Sequence, residues 1–159
     1  MALTSYFNTP RYWRFSTVFS PSRAEARQFF FDTWKKYQDT KLLSALEEKA
    51  LDIILMHPEY QAVLENREKY IGREFSPQSG EANPFLHLSM HLAIREQLAI
   101  DQPIGIKSYY AKLLKKLGNA HDTEHVMLEC MAEMIWQAQR ARSEFDGALY
   151  LNCLAKQLR

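Results

Sequence analysis

The sequence predicts an all-α fold, a single-domain helical bundle of about six to seven helices, on three observations. Only 5 glycines occur in 159 residues, and Leu, Ala, Glu, Lys and Gln, all good helix formers, are abundant. Cap-type residues stand just before proline at Ser20-Pro21 and Asn83-Pro84, and proline at the first helical position is a start signal. Apolar residues recur at helical spacing between such starts. The length is that of one ordinary domain, and no linker divides residues 1–159. The expectation is therefore one helical domain with residues 1–19 docked on it as an ordered arm, because Tyr6, Phe7, Tyr12, Trp13, Phe15 and Phe19 are too many aromatics to leave in water.

Each helix has its own warrant. Ser20-Pro21 opens a first helix to about Tyr37. Thr40 caps a second, through Leu42, Leu43, Leu46, Ala50, Ile53 and Ile54. Pro58 ends it, since the residue before proline is pushed out of the α region. The same proline suits the first turn of a third helix, to about Ile71. Ser76-Pro77 and Ser79-Gly80 mark a loop over 75–81. Asn83-Pro84 opens a fourth helix to about Ile100, and Asp101-Gln102-Pro103 breaks it. A fifth runs through Ser108, Tyr109, Leu113, Leu114 and Leu117, with Gly118 suited to the position after its end. Asn119 caps a long sixth helix to about Arg142, and a last one covers 146–158. Residues 15–19 are the one candidate strand. No internal repeat of fixed period stands out.

Bulk properties exclude several function classes. The formal net charge is +1, from 20 basic and 19 acidic residues, so there is no general attraction to nucleic acid or an acidic membrane. No apolar run reaches the roughly 18 residues of a membrane span, and no secretory signal opens the chain. Cys130 and Cys153 form neither a disulfide framework nor a Cys-x-x-Cys metal pattern, which suggests a reducing cytoplasm. Arg11, Arg14, Arg23, Arg27, Lys35 and Lys36 interleave with aromatics as in single-strand nucleic-acid binders. The balanced charge favours core aromatics with solvated basic neighbours instead.

The concentrated chemistry lies in two His-x-x-x-His motifs, His87/His91 and His121/His125. Residues four apart on a helix project together, about 40° apart around the axis. That is how a helix offers two imidazoles to one metal ion. Five histidines placed at random give about 0.15 such pairs by template counting. Both pairs begin just after a cap, Asn83 or Asn119. Up-down-up packing would bring those helix starts to one end of a bundle, with four imidazoles offset by about 3 Å of rise. The positive field of a helix N-terminus favours neutral imidazole, the ligating form. Glu129, one turn beyond His125, extends the stripe. Glu124 lies about 60° to one side of His121, while Glu96 and Cys130 point away from the histidine faces. His57 falls at a helix junction; strict up-down packing puts it at the far end, in a capping role before Pro58. The expected site is a transition-metal centre, zinc or iron, with His87, His91, His121 and His125 as ligands and Glu129 as a carboxylate ligand or outer partner. The alternative is a non-enzymatic interaction module or homo-oligomeric scaffold. Its histidines are then a structural network, and its aromatic arm binds a protein partner.

Residues 83–97, Asn-Pro-Phe-Leu-His-Leu-Ser-Met-His-Leu-Ala-Ile-Arg-Glu-Gln, together with 121–137 and His57-Pro58-Glu59-Tyr60, resemble a bacterial family of the DUF1841 type, described only as a domain of unknown function. The resemblance covers most of the chain and implies a cytoplasmic bacterial protein without an assigned reaction. More loosely the pattern is similar to hemerythrin-like di-iron bundles, though it has neither their separate His-x-x-x-Glu helix nor their late His-x-x-x-x-Asp. His121-Asp122 resembles the adjacent His-Asp of metal-dependent phosphohydrolases, a lesser alternative.

Overall fold

The structure is a computed structural model, and it describes residues 22–75 and 80–159. The aromatic arm, the candidate strand at 15–19 and the Ser20-Pro21 start lie outside these residues. Every regular element among the described residues is helical, and no helix is long and apolar enough to cross a membrane. The helices are α1 (Arg23–Gln38), α2 (Ala45–Met56), α3 (Gln61–Leu64), α4 (Arg67–Tyr70), α5 (Pro84–Ile100), α6 (Ile106–Leu117), α7 (Ala120–Ala141) and α8 (Gly147–Gln157). Two compact units divide the chain, with the boundary between Leu92 and Ala93, inside α5.

In the first unit, α1 and α2 each open on a capping box. The Ser22 hydroxyl accepts from the Glu25 N–H while the Glu25 carboxylate accepts from the Ser22 N–H. Ser44 and Glu47 do the same. The reciprocal pair satisfies two backbone donors at once, so α2 begins at Ser44 and not at the expected Thr40. Thr40 instead takes a left-handed backbone, φ 52°. Leu42, expected on the apolar face of α2, therefore precedes the helix and is 97% exposed. Phe30, Ala50, Ile53, Ile54, Leu88 and Leu92 are fully buried.

The expected third helix over 58–71 is broken. Pro58–Tyr60 forms one 3-10 turn, followed by the single turns α3 and α4. Asn66 interrupts them at φ −114°, ψ 58°. Its side-chain amide donates to the Ala62 carbonyl, the local competition with helical bonding to which Asn is prone. Arg27, expected among solvated bases, is 5% exposed. It donates to the Tyr70 and Ile71 carbonyls and lies over the Phe75 and Phe85 rings, so it ties α1 to the segment after α4.

In the second unit, Gly118 ends α6 at φ 82° and donates its N–H to the Leu114 carbonyl. Asn119 then caps α7 by accepting from the Asp122 N–H at 2.8 Å. Asp146 caps α8 by accepting from Ala148 and Leu149. Ile94, Ile106, Leu113, Met127, Tyr150 and Leu154 are buried to 1% exposure or less. Cys130 and Cys153 are joined in a disulfide between α7 and α8, Cα atoms 5.8 Å apart, which corrects the expectation that they form none. They stand almost equally far from the turn that follows Arg142, so the reversal of chain direction brings them together.

Candidate metal centre

The site in the first unit starts from the end of α2. Pro58 forbids another helical turn, and His57 becomes the C-cap at φ −125°, ψ 66°, its N–H donating to the Ile54 carbonyl. The His57 ring turns back along α2, with Nδ1 2.8 Å from the Ile53 carbonyl oxygen. A carbonyl only accepts, so Nδ1 carries a proton, and in the neutral ring Nε2 keeps its lone pair. Ligating histidines are held in the same way, by donation from the other ring nitrogen.

Helix α5 brings two more imidazoles to that lone pair. Asn83 Oδ1 accepts from the Phe85 and Leu86 N–H groups and sets the helix start. His87 and His91 then project one turn apart. His87 Nε2 lies 3.1 Å from His57 Nε2, and His91 Nε2 lies 3.2 Å from His87 Nε2. The ligand nitrogens of these three residues all fall within 4.8 Å of one another. His57 and His91 are fully buried and His87 is half-buried. The 3-10 turn that Pro58 opens carries Tyr60 onto the cluster. Its ring stacks on His57 at 5.7 Å and 8°, and meets His87 edge-to-face at 5.5 Å and 69°. Burial, with a smaller push from the Glu59 charge, holds the Tyr60 phenol above its ordinary pKa.

Proton placement decides what this arrangement does. With His57 Nε2 bare, its 3.1 Å contact with His87 requires a proton on His87 Nε2. That proton points at His57 and cannot also lie on the line to His91 Nε2, 3.2 Å away. A cation between the nitrogens satisfies all three lone pairs together. Nitrogen ligands at about 2.0–2.1 Å from a metal are spaced about 3.3 Å apart in a tetrahedral shell and about 2.9 Å in an octahedral one. The two measured separations, 3.1 and 3.2 Å, lie between these values.

The other histidine pair belongs to α7 in the second unit. The His121 and His125 rings are 4.1 Å apart at 56°. His121 Nδ1 is 3.3 Å from Asp122 Oδ1, and the His121 side chain is 39% exposed. The Asn119 amide, then His121, hold the Asp122 carboxyl below the usual carboxylate range. Glu129 is exposed. Glu124 is 3% exposed and accepts from Arg95 Nε at 3.1 Å.

His87 and His91 thus stand together, as their spacing indicates, and so do His121 and His125. The third member beside His87 and His91 is His57, which sequence reasoning put at the far end. That placement assumed a continuous third helix in strict up-down packing; the chain breaks there into short turns. The available signal was His57-Pro58 followed by Tyr60, a cap residue with an aromatic one tight turn later. A family model described as a domain of unknown function, DUF1841, matches residues 22–156. No curated protein and no solved structure matches the chain.

Proposed function

We propose that this chain, which belongs to the DUF1841 family, binds a transition-metal ion through Nε2 of His57, His87 and His91. The observation that carries the reading is the meeting of three ring nitrogens, His57 to His87 at 3.1 Å and His87 to His91 at 3.2 Å, with the His57 Nδ1 held by the Ile53 carbonyl. Zinc or iron suits imidazole ligation. His121 and His125, with Glu129 beside them on α7, are a second candidate ligand stripe on the strength of their own His-x-x-x-His spacing. A metal in such a site, with one position left to water, supplies an acidified water or a Lewis acid.

The test is elemental analysis of untagged protein from metal-supplemented cells, beside His57→Ala, His87→Ala and His91→Ala. The expected result is about one equivalent of metal in the wild type and a loss in each variant, with His57→Ala as deficient as His87→Ala. Wild-type protein that carries no metal and takes up none on titration would overturn the reading.

A further inference from the structure

Tyr60 touches two of the three proposed ligands, and they come from different elements. Its ring is parallel to that of His57 at the end of α2 (5.7 Å between centroids, 8°) and edge-to-face with His87 on α5 (5.5 Å, 69°). The two imidazoles are 30 residues apart in sequence and their own rings meet at 74°. A ligating imidazole must aim its lone pair along the bond to the metal, so the tilt of the ring is part of the donor. His57 has one restraint from the Ile53 carbonyl, which sets its tautomer but leaves rocking about that hydrogen bond. A parallel, displaced ring beside it limits this freedom.

We propose that Tyr60 is a positioning residue for the metal centre: its ring, rather than its hydroxyl, holds the His57 and His87 imidazole planes at the angle that lets both Nε2 atoms face one ion. The proposal rests on the metal-binding reading. Outer groups that orient ligating histidines typically alter metal affinity by about tenfold to a hundredfold when removed, and that is the effect assigned to the ring.

Cobalt(II) is the probe, because its visible absorption reports coordination geometry as well as occupancy. Wild type, Tyr60→Phe and Tyr60→Leu are stripped of metal, titrated with cobalt(II) against a competing chelator, and melted in the metal-free state. Tyr60→Phe should bind within about threefold of wild type with the same band shape. Tyr60→Leu should bind about tenfold to a hundredfold more weakly and change the band shape. A purely structural role for Tyr60 would lower the metal-free melting temperature and leave the spectrum alone, which overturns the proposal. Tyr60→Leu matching wild type overturns it too, as does Tyr60→Phe failing as badly as Tyr60→Leu, since the hydroxyl would then be the acting group. Wild type that binds no cobalt(II) removes the metal reading and this inference together; wild-type binding with an unaffected Tyr60→Leu removes this inference alone. If Tyr60→Leu does not fold, Tyr60→Met, closer to the wild-type volume and flexible, is judged by the same outcomes.

Discussion

Replacing Arg95 by Met should destabilise the protein by roughly 3 kcal/mol, the lower end of the cost of breaking a buried ion pair. The guanidinium Nε is 3.1 Å from Glu124 Oε1, with side-chain exposures of 20% and 3%. Two unit charges about 4 Å apart attract by about 4 kcal/mol at an effective dielectric of about 20. Much of that attraction offsets the desolvation of the two groups, so the intact pair contributes little net stability. Loss of one partner is different, because the Glu124 carboxylate stays buried and loses the charged hydrogen bond from Arg95. Met keeps most of the apolar stem, so the change isolates the charge. For a chain of this size each kcal/mol moves the melting midpoint by about 2–4 °C, giving a shift of about 6–12 °C. Arg95→Met/Glu124→Leu should recover most of the loss, as buried ion pairs replaced by apolar groups generally do. Urea unfolding followed by tryptophan fluorescence closes the double-mutant cycle. A loss below about 1 kcal/mol in Arg95→Met, or a double variant as unstable as the two single losses summed, would refute this reasoning.

Two further outcomes concern helix ends. Burial alone would raise the Glu47 pKa, but hydrogen bonds from Lys36 Nζ at 2.6 Å and from the Ser44 cap outweigh it, and the carboxyl is held below its ordinary 4.5. A group depressed in the folded state stabilises above its unfolded value and loses that contribution as pH falls through its folded value. Glu47→Gln should therefore cost roughly 1 kcal/mol at neutral pH, and the gap to wild type should close in urea titrations as pH falls below 4.5. A gap independent of pH would contradict the role of the Glu47 charge, since Gln can also close a capping box. Gly118→Ala should cost about 1–2 kcal/mol, the price of a left-handed backbone for a residue with a Cβ. The φ is +82° and nothing lies within 4 Å of the added carbon, so the cost is backbone strain rather than collision. Equal urea midpoints for variant and wild type would rule this out.

The helices were most legible where a single residue settled the boundary. Asn83-Pro84 and Asn119 each offered one cap in the right place, and Gly118 one left-handed exit, so α5, α6 and α7 begin or end where sequence reasoning puts them. The start of α2 was less legible because Thr40 and Ser44 are both cap-type residues. Glu47, three residues beyond Ser44, decides between them by closing the box. The break at Asn66 depends on a side chain competing with the backbone, which periodicity does not register. Spacing identified His87 and His91 as a pair because four residues on a helix is local geometry. His57 is 30 residues from His87, and residues 58–70 between them form short turns and not one helix, which spacing alone does not reveal. The Cys130–Cys153 bond was hidden for a similar reason: its spacing follows no motif and matters only once α7 and α8 reverse direction around a short turn.

The most direct test of the metal centre is X-ray absorption at the edge of whichever metal copurifies with the wild-type chain, repeated on His57→Ala. The account predicts a shell dominated by nitrogen at about 2.0–2.1 Å, with the outer scattering of at least three imidazoles, and one imidazole fewer or no bound metal in the variant. A shell of oxygen or sulfur, or one that is the same in His57→Ala as in wild type, would contradict it.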